Sequence, residues 1–303
     1  MPNSSDDIRR VNANAATSPT TTSIATRADR TFVSERVLTS TLGPCTALTT
    51  AAGAEDMRLG FMRRLATVVV LSLVGPFVRN ALADKIVVYG ASGSVGSVIV
   101  EEALSRGHEV IGVSRNPESL KFDNARFTAA PGDATDPDSI VATVRGADIV
   151  VISVRDDAPG NTPEQAVTFR AATAYIEAAS RLGKATPYVI QIGGGVTLYR
   201  DGVRIMDAFA PGTERYAQAQ GHWLAMEAYQ HSTGFDWTVM SANTGSIQER
   251  GQYTGRFRLG NQDELVDRNG ETYISRQDFA IAVIDMAESR TVTGKRVAVG
   301  PPY

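Results

Sequence analysis

The chain has 303 residues, 43% of them hydrophobic and 21% charged, enough for one large domain or two small ones. One cysteine, Cys45, excludes a disulfide framework, and three histidines, His108, His222 and His231, lack the spacing of a metal site. Setting aside the nine Arg and six acidic residues of positions 1–83 leaves 21 basic and 27 acidic side chains, a net charge of about −6 with no Lys/Arg block, which argues against nucleic-acid binding by phosphate neutralisation.

Residues 1–56 are rich in Ser, Thr, Ala and Asn with little apolar periodicity. Such a stretch cannot bury enough surface to offset the entropy of ordering, so it reads as disordered or as an over-extended translation start. Residues 57–83 read as a signal-peptide-like leader, with Met57 or Met62 as the true start. Arg63 and Arg64 form a positive n-region, 65–78 is a mostly apolar run of fourteen residues, and Ala81-Leu82-Ala83 has the small-x-small pattern of a cleavage site. A membrane span needs about 20 apolar residues, and Gly75-Pro76 interrupts this run. A buried helix is the alternative, although the segment is apolar on all faces. The expectation is a periplasmic or otherwise exported protein cleaved near Ala83, with no stable membrane span in the mature chain. The arginine pair loosely fits the twin-arginine route, which carries folded proteins. A cytoplasmic location stays open as the alternative.

Residues 84–303 are expected to form one nucleotide-binding domain. Short β-branched runs at 85–89, 109–114, 126–130, 148–154, 188–193 and 236–241 alternate with helical patterns at 95–106, 136–145, 163–182 and 214–232. A further amphipathic helix, "RQDFAIAVIDMAESR", and a last strand, "KRVAVG", follow. This alternation predicts an α/β fold, a Rossmann-type doubly wound parallel sheet. Gly107, Gly146 and Gly183 stand where helix ends favour a left-handed residue.

The first strand runs into Gly90-Ala-Ser92-Gly93-Ser94-Val95-Gly96 and then a helix, the context that gives a glycine fingerprint its meaning. Gly90 suits a tight turn, Gly93 a close backbone approach to a diphosphate, and Gly96 close packing of the helix, whose free N–H groups attract the anion. Nineteen residues beyond Gly96, Ser114-Arg115 ends the second strand where sites for NAD place an acid. An arginine there suits a ribose 2′-phosphate, so NADP(H) is expected, with NAD(H) left open. Asp133, after the third strand, is placed to contact the adenine, to cap the helix beginning near Asp136, or to do both.

The series YGASGxxG, VSRNP, GDATD and VISVRDD resembles the atypical short-chain dehydrogenase/reductase superfamily. Within it, "DWTVMSAN", "YTGRF" and "YISRQDFAIAVIDMAE" are similar to the NAD(P)H-binding group of flavin-reductase-like and biliverdin-reductase-B-like proteins. The likeness spans nearly all of 85–300. It implies cofactor contacts from Val154 and Arg155 at the end of the fourth strand, Arg155 resembling an arginine that lies by cofactor and substrate in biliverdin-reductase-B-like enzymes. A surface pairing with Asp156 or Asp157 is the alternative.

The superfamily's Tyr-x-x-x-Lys pair lowers a tyrosine pKa for proton transfer. Here "ERYAQAQGHW" puts Tyr216 at the tyrosine position but Gln220 at the lysine, and a neutral amide cannot depress a phenol by charge. The serine expected after the fifth strand is replaced by Gly193, Gly194 and Gly195. Tyr216 and His222 remain as weak catalytic candidates. Gly193, Gly194 and Asn243 are candidate substrate contacts, the glycines serving either a flat open surface or a tight turn. Trp223 and Met226 read as core. The expected activity is hydride transfer from NAD(P)H to a flavin or another flat, quinone-like acceptor, which needs ring stacking more than a proton relay. A non-catalytic redox sensor is the rival reading, and a sugar epimerase or dehydratase fits less well. Oligomeric state is not legible.

Overall fold

The computed structural model describes residues 83–154, 162–242 and 253–303. Most of the expected leader, as well as Arg155, Asp156, Asp157 and Asn243, lies outside the described residues. Strand β1 is Lys85–Tyr89, followed by helix α1 (Gly96–Ser105), β2 (Glu109–Ser114), β3 (Phe127–Pro131), α2 (Pro137–Val144) and β4 (Ile149–Ile152). Then come α3 (Val167–Leu182), β5 (Tyr188–Gly193), a ribbon of β6 (Tyr199–Arg200) and β7 (Val203–Arg204), α4 (Glu214–Gln230) and β8 (Trp237–Ala242). The short β9 (Arg258–Gly260), α5 (Arg276–Ser289) and β10 (Lys295–Gly300) complete the series.

The main sheet has the order β3-β2-β1-β4-β5-β8-β10-β9. Every pairing is parallel except β10 with β9, which runs antiparallel at one edge. The strand order reverses direction between β1 and β4, so the loops after these two strands diverge and leave a crevice above the sheet. This is the doubly wound α/β architecture expected from the alternation of elements.

Side chains alternate between the faces of each strand, and the apolar runs supply both layers. Ile86 and Val88 of β1, with Ile149 and Val151 of β4, pack into one core with Ile99 and Val100 of α1 and Phe279 and Val283 of α5. Val87, Tyr89, Val150 and Ile152 point the other way, onto Ile140 of α2, Tyr175 of α3 and Tyr229 of α4. Continuous hydrophobic strands are thus needed at the centre of the sheet, where β1 and β4 are buried on both faces. In α4, Trp223 is half-buried under the Arg204 guanidinium, 4.5 Å from its ring, while Met226 is buried in the core as expected.

Boundaries shift where local chemistry overrides periodicity. The helix expected from 163 begins at Val167, because Ala166 takes an extended ψ of 130° and ends a separate three-residue turn, Pro163–Gln165. Asp136 caps α2, its carboxylate accepting from the Asp138 amide, so the capping alternative for Asp133 gives way to Asp136. Gly107, Gly146 and Gly183 do have positive φ, and Arg290 joins them at the end of α5, where its guanidinium meets the Asp84 carboxylate.

The two motifs "YTGRF" and "YISRQD" are joined by one buried carboxylate. Ser275 caps α5 by accepting from the Asp278 amide, and Asp278 in turn accepts from the Thr254 and Gly255 amides and the Thr254 hydroxyl at 2.7–3.2 Å. Asp278→Ala is expected to cost about 1–2 kcal/mol, because water replaces only part of what these donors lose. Urea denaturation would show it as a lower midpoint at unchanged slope.

Candidate functional site

A cleft of about 1190 Å³ opens above the carboxyl ends of β1, β2, β3, β4 and β5. Its floor is the turn after β1. Gly90 has φ +76°, and a Cβ there would stand 2.2 Å from the Ser153 carbonyl oxygen, so only glycine lets the turn after β1 pass this close to the end of β4. The Gly93 amide donates to the Gly90 carbonyl at 2.9 Å and closes the turn. Gly96, the first residue of α1, lies so near that its Cβ would be 2.1 Å from the Gly90 oxygen. It therefore packs helix onto turn, rather than helix onto strand.

Ser92, Gly93, Ser94 and Val95 line the cleft, and among the described residues the amides of Ser94, Val95 and Gly96 have no backbone acceptor. Val95 caps α1 without a side-chain bond. Unsatisfied N–H groups at a helix start, beside glycines that admit a ligand to the backbone, fit an anionic diphosphate. Ser114 and Arg115 after β2, Asp133, Ala134 and Thr135 after β3, and Ser153 and Val154 after β4 also line the cleft. Arg115 is exposed. The Ser114 hydroxyl accepts from the Asn116 amide at 3.1 Å, which shapes the turn that presents Arg115.

Asp133 accepts from both the amide and the hydroxyl of Thr135 at 2.8 Å. Burial acts to raise its carboxyl, but these two bonds, with the charges of Arg115 and Arg170, hold it below the usual range. Tyr89, beneath the turn, is pushed up to about 12, chiefly by burial, with Asp133 and Asp136 adding to the rise and Thr143 opposing it. It therefore stays protonated at neutral pH.

The other candidates sit apart from this wall. Tyr216 lies in the first turn of α4, its amide bound to the Thr213 cap, and neither it nor His222 lines the cleft. Burial pulls the His222 imidazole down from 6.5 to about 4. Its ring lies against Gly194, where a Cβ would be 2.6 Å from Cδ2, and a Cβ on Gly193 would be 2.6 Å from the Ser241 hydroxyl. Side-chain packing thus favours glycine at both positions, and Gly195 begins a short helical turn, Gly195–Thr197. Among described residues no group of His, Cys, Asp and Glu could hold a metal.

A pH effect follows from His222. The unfolded imidazole takes up a proton below about 6.5, while the folded one stays neutral to about 4, so stability falls as pH drops through that window. His222→Gln is expected to remove this part of the acid sensitivity, seen by comparing urea midpoints at pH 7 and pH 5.

Sequence reasoning missed Arg170 and Arg276, which also line the cleft. Arg276 was in view inside "YISRQD" without a role. Arg170 carries no motif, and only the packing of α3 beside the loop after β3 brings it there.

The model of the NAD(P)H-binding family matches residues 90–290. The chain belongs to that family. The family's defining ligand, a nicotinamide cofactor, suits the open amides and glycine-floored cleft described above. The chain is 28% identical over 222 residues to the uncharacterised protein YwnB of Bacillus subtilis, covering 71% of this chain and 97% of YwnB. A provisionally named epimerase of Bacteroides thetaiotaomicron shares 29% identity and superposes with a TM-score of 0.63 over 73% of this chain and 98% of its own. A provisionally named exported protein of Burkholderia pseudomallei shares 30% identity, with a TM-score of 0.60 over 72% of this chain and all of its own. Among described residues of this NAD(P)H-binding protein, no helix is long and apolar enough to cross a membrane.

Proposed function

We propose that residues 84–303 form one domain that acts as an NADP(H)-dependent reductase toward a flavin or a similarly flat acceptor. The observation that carries this reading is the pairing of a glycine-floored anion cradle with Arg115, and no acid, at the end of β2. The amides of Ser94, Val95 and Gly96 hold the diphosphate, Arg115 meets the 2′-phosphate, and Val154 and Ile192 flank the nicotinamide end. The nicotinamide, when bound, supplies hydride. The chain's own contribution is to orient two rings and exclude water from one face, and solvent supplies the proton. Gln220 in place of a lysine, and a His222 that burial keeps neutral, favour such relay-free chemistry over the epimerase activity in the name of the Bacteroides relative.

The same lack of a relay favours a second reading, a non-catalytic NADP(H) sensor. Following NADPH oxidation at 340 nm against flavins and quinones separates the two. Turnover with a flat acceptor supports the reductase; tight binding without turnover of any acceptor supports the sensor.

Export is also proposed. Its support is the leader pattern at 57–83 and the name of the Burkholderia relative. N-terminal sequencing of protein from intact cells should return a chain beginning at Asp84; an uncleaved leader on cytoplasmic protein would refute it.

A further inference from the structure

We infer that His108, Glu288 and Arg290 form a socket for the N-terminus of the processed chain: the α-ammonium of Asp84 donates to the His108 imidazole, which Glu288 backs, while the Asp84 carboxylate meets Arg290. This rests on the proposed cleavage after Ala83.

Ala83 is exposed, whereas each polar group of the next residue is held. The Asp84 amide donates to His108 Nδ1 at 3.1 Å, its carbonyl accepts from the Glu109 amide at 3.0 Å, and its carboxylate accepts from the Arg290 guanidinium. His108 is only 2% exposed. Because its Nδ1 accepts, Nε2 carries the proton and donates to Glu288 Oε1 at 3.0 Å. An amide donor is satisfied by a neutral acceptor, but a carboxylate behind that acceptor strengthens the bond when the donor is a cation. Arg106 binds the other Glu288 oxygen at 3.0 Å, yet it also meets Glu102 and Asp285, so three carboxylates surround one guanidinium and the cluster favours a further positive charge. Arg290 adopts a φ of 47° at the end of α5, a conformation that favours glycine, and the side chain retained there reaches Asp84. Both ends of an N-terminal aspartate thus face their complements, the ammonium a carboxylate-backed imidazole and the side chain a guanidinium.

The test uses protein recovered from the exported fraction. Its α-amine is labelled at pH 7 with limiting acetic anhydride and scored by mass spectrometry against the exposed Lys121 and Lys184. An α-amine ordinarily titrates near pH 8, about two units below a lysine, and so reacts first. Relative to those lysines, the native α-amine is expected to label on the order of tenfold more slowly than the urea-unfolded one, as for one hydrogen bond with a charged partner. Glu288→Gln keeps an acceptor for Nε2 but removes the charge, and is expected to speed native labelling about threefold. Equal labelling of native and unfolded wild type overturns the inference without recourse to any variant. So does native protection unchanged in Glu288→Gln, which would leave burial as its cause. A recovered chain that does not begin at Asp84 would instead bring down the underlying cleavage reading.

Discussion

Gly96→Ala is expected to raise the dissociation constant for NADPH on the order of a hundredfold, equivalent to about 2.7 kcal/mol. The added Cβ would lie 2.1 Å from the Gly90 oxygen and 3.3 Å from the Ala91 Cα, both backbone atoms. No rotamer change relieves that contact, so α1 must lift from the turn. The Gly90 oxygen also accepts the Gly93 amide, so the lift carries with it the backbone that places the Ser94, Val95 and Gly96 amides. Overpacking of this kind costs about 1–3 kcal/mol of stability, a loss that a core flanked by Ile86, Val88, Ile99 and Val100 should survive. Calorimetric titration beside a thermal melt distinguishes the two effects: a folded variant that has lost the nucleotide is the expected result.

Arg115→Glu is expected to raise KM for NADPH on the order of tenfold or more while changing that for NADH by less than about threefold. Arg115 is exposed at the rim of the cleft, so its attraction for a phosphate is screened and should weaken as salt is added. The substitution also sets two carboxylates on the same wall, since the charge of Arg115 is one of the influences holding Asp133 low. That repulsion acts on either cofactor, which explains the small loss allowed for NADH. Steady-state kinetics with both nucleotides at two ionic strengths would check the ratio and its salt dependence.

Much of the fold was legible because the central parallel strands bury both faces and so appear as apolar, β-branched-rich runs, as in "IVVI" of β4. The helices between them were bounded by glycines such as Gly107 and Gly146, whose positive φ the structure shows. The ribbon of β6 and β7 and the edge strand β9 escaped notice because two or three residues carry no measurable period. At the candidate site, the glycine turn and Arg115 could be found because their spacing is set by local backbone geometry. Arg170 could not, since its place beside Thr135 arises from packing between α3 and a loop 35 positions away. Gly193 and Gly194 show a different limit: the side chains of Ser241 and His222 that crowd their Cβ positions come from β8 and α4, distant in sequence, and no local pattern announces them.

The account depends most on a dinucleotide diphosphate resting against the start of α1. Amide hydrogen exchange of the full chain with and without saturating NADPH tests this directly. The account predicts that peptides covering 92–97 become protected while those of the β6 and β7 ribbon do not change. Saturable NADPH binding that leaves 92–97 exchanging as in the free protein would contradict it.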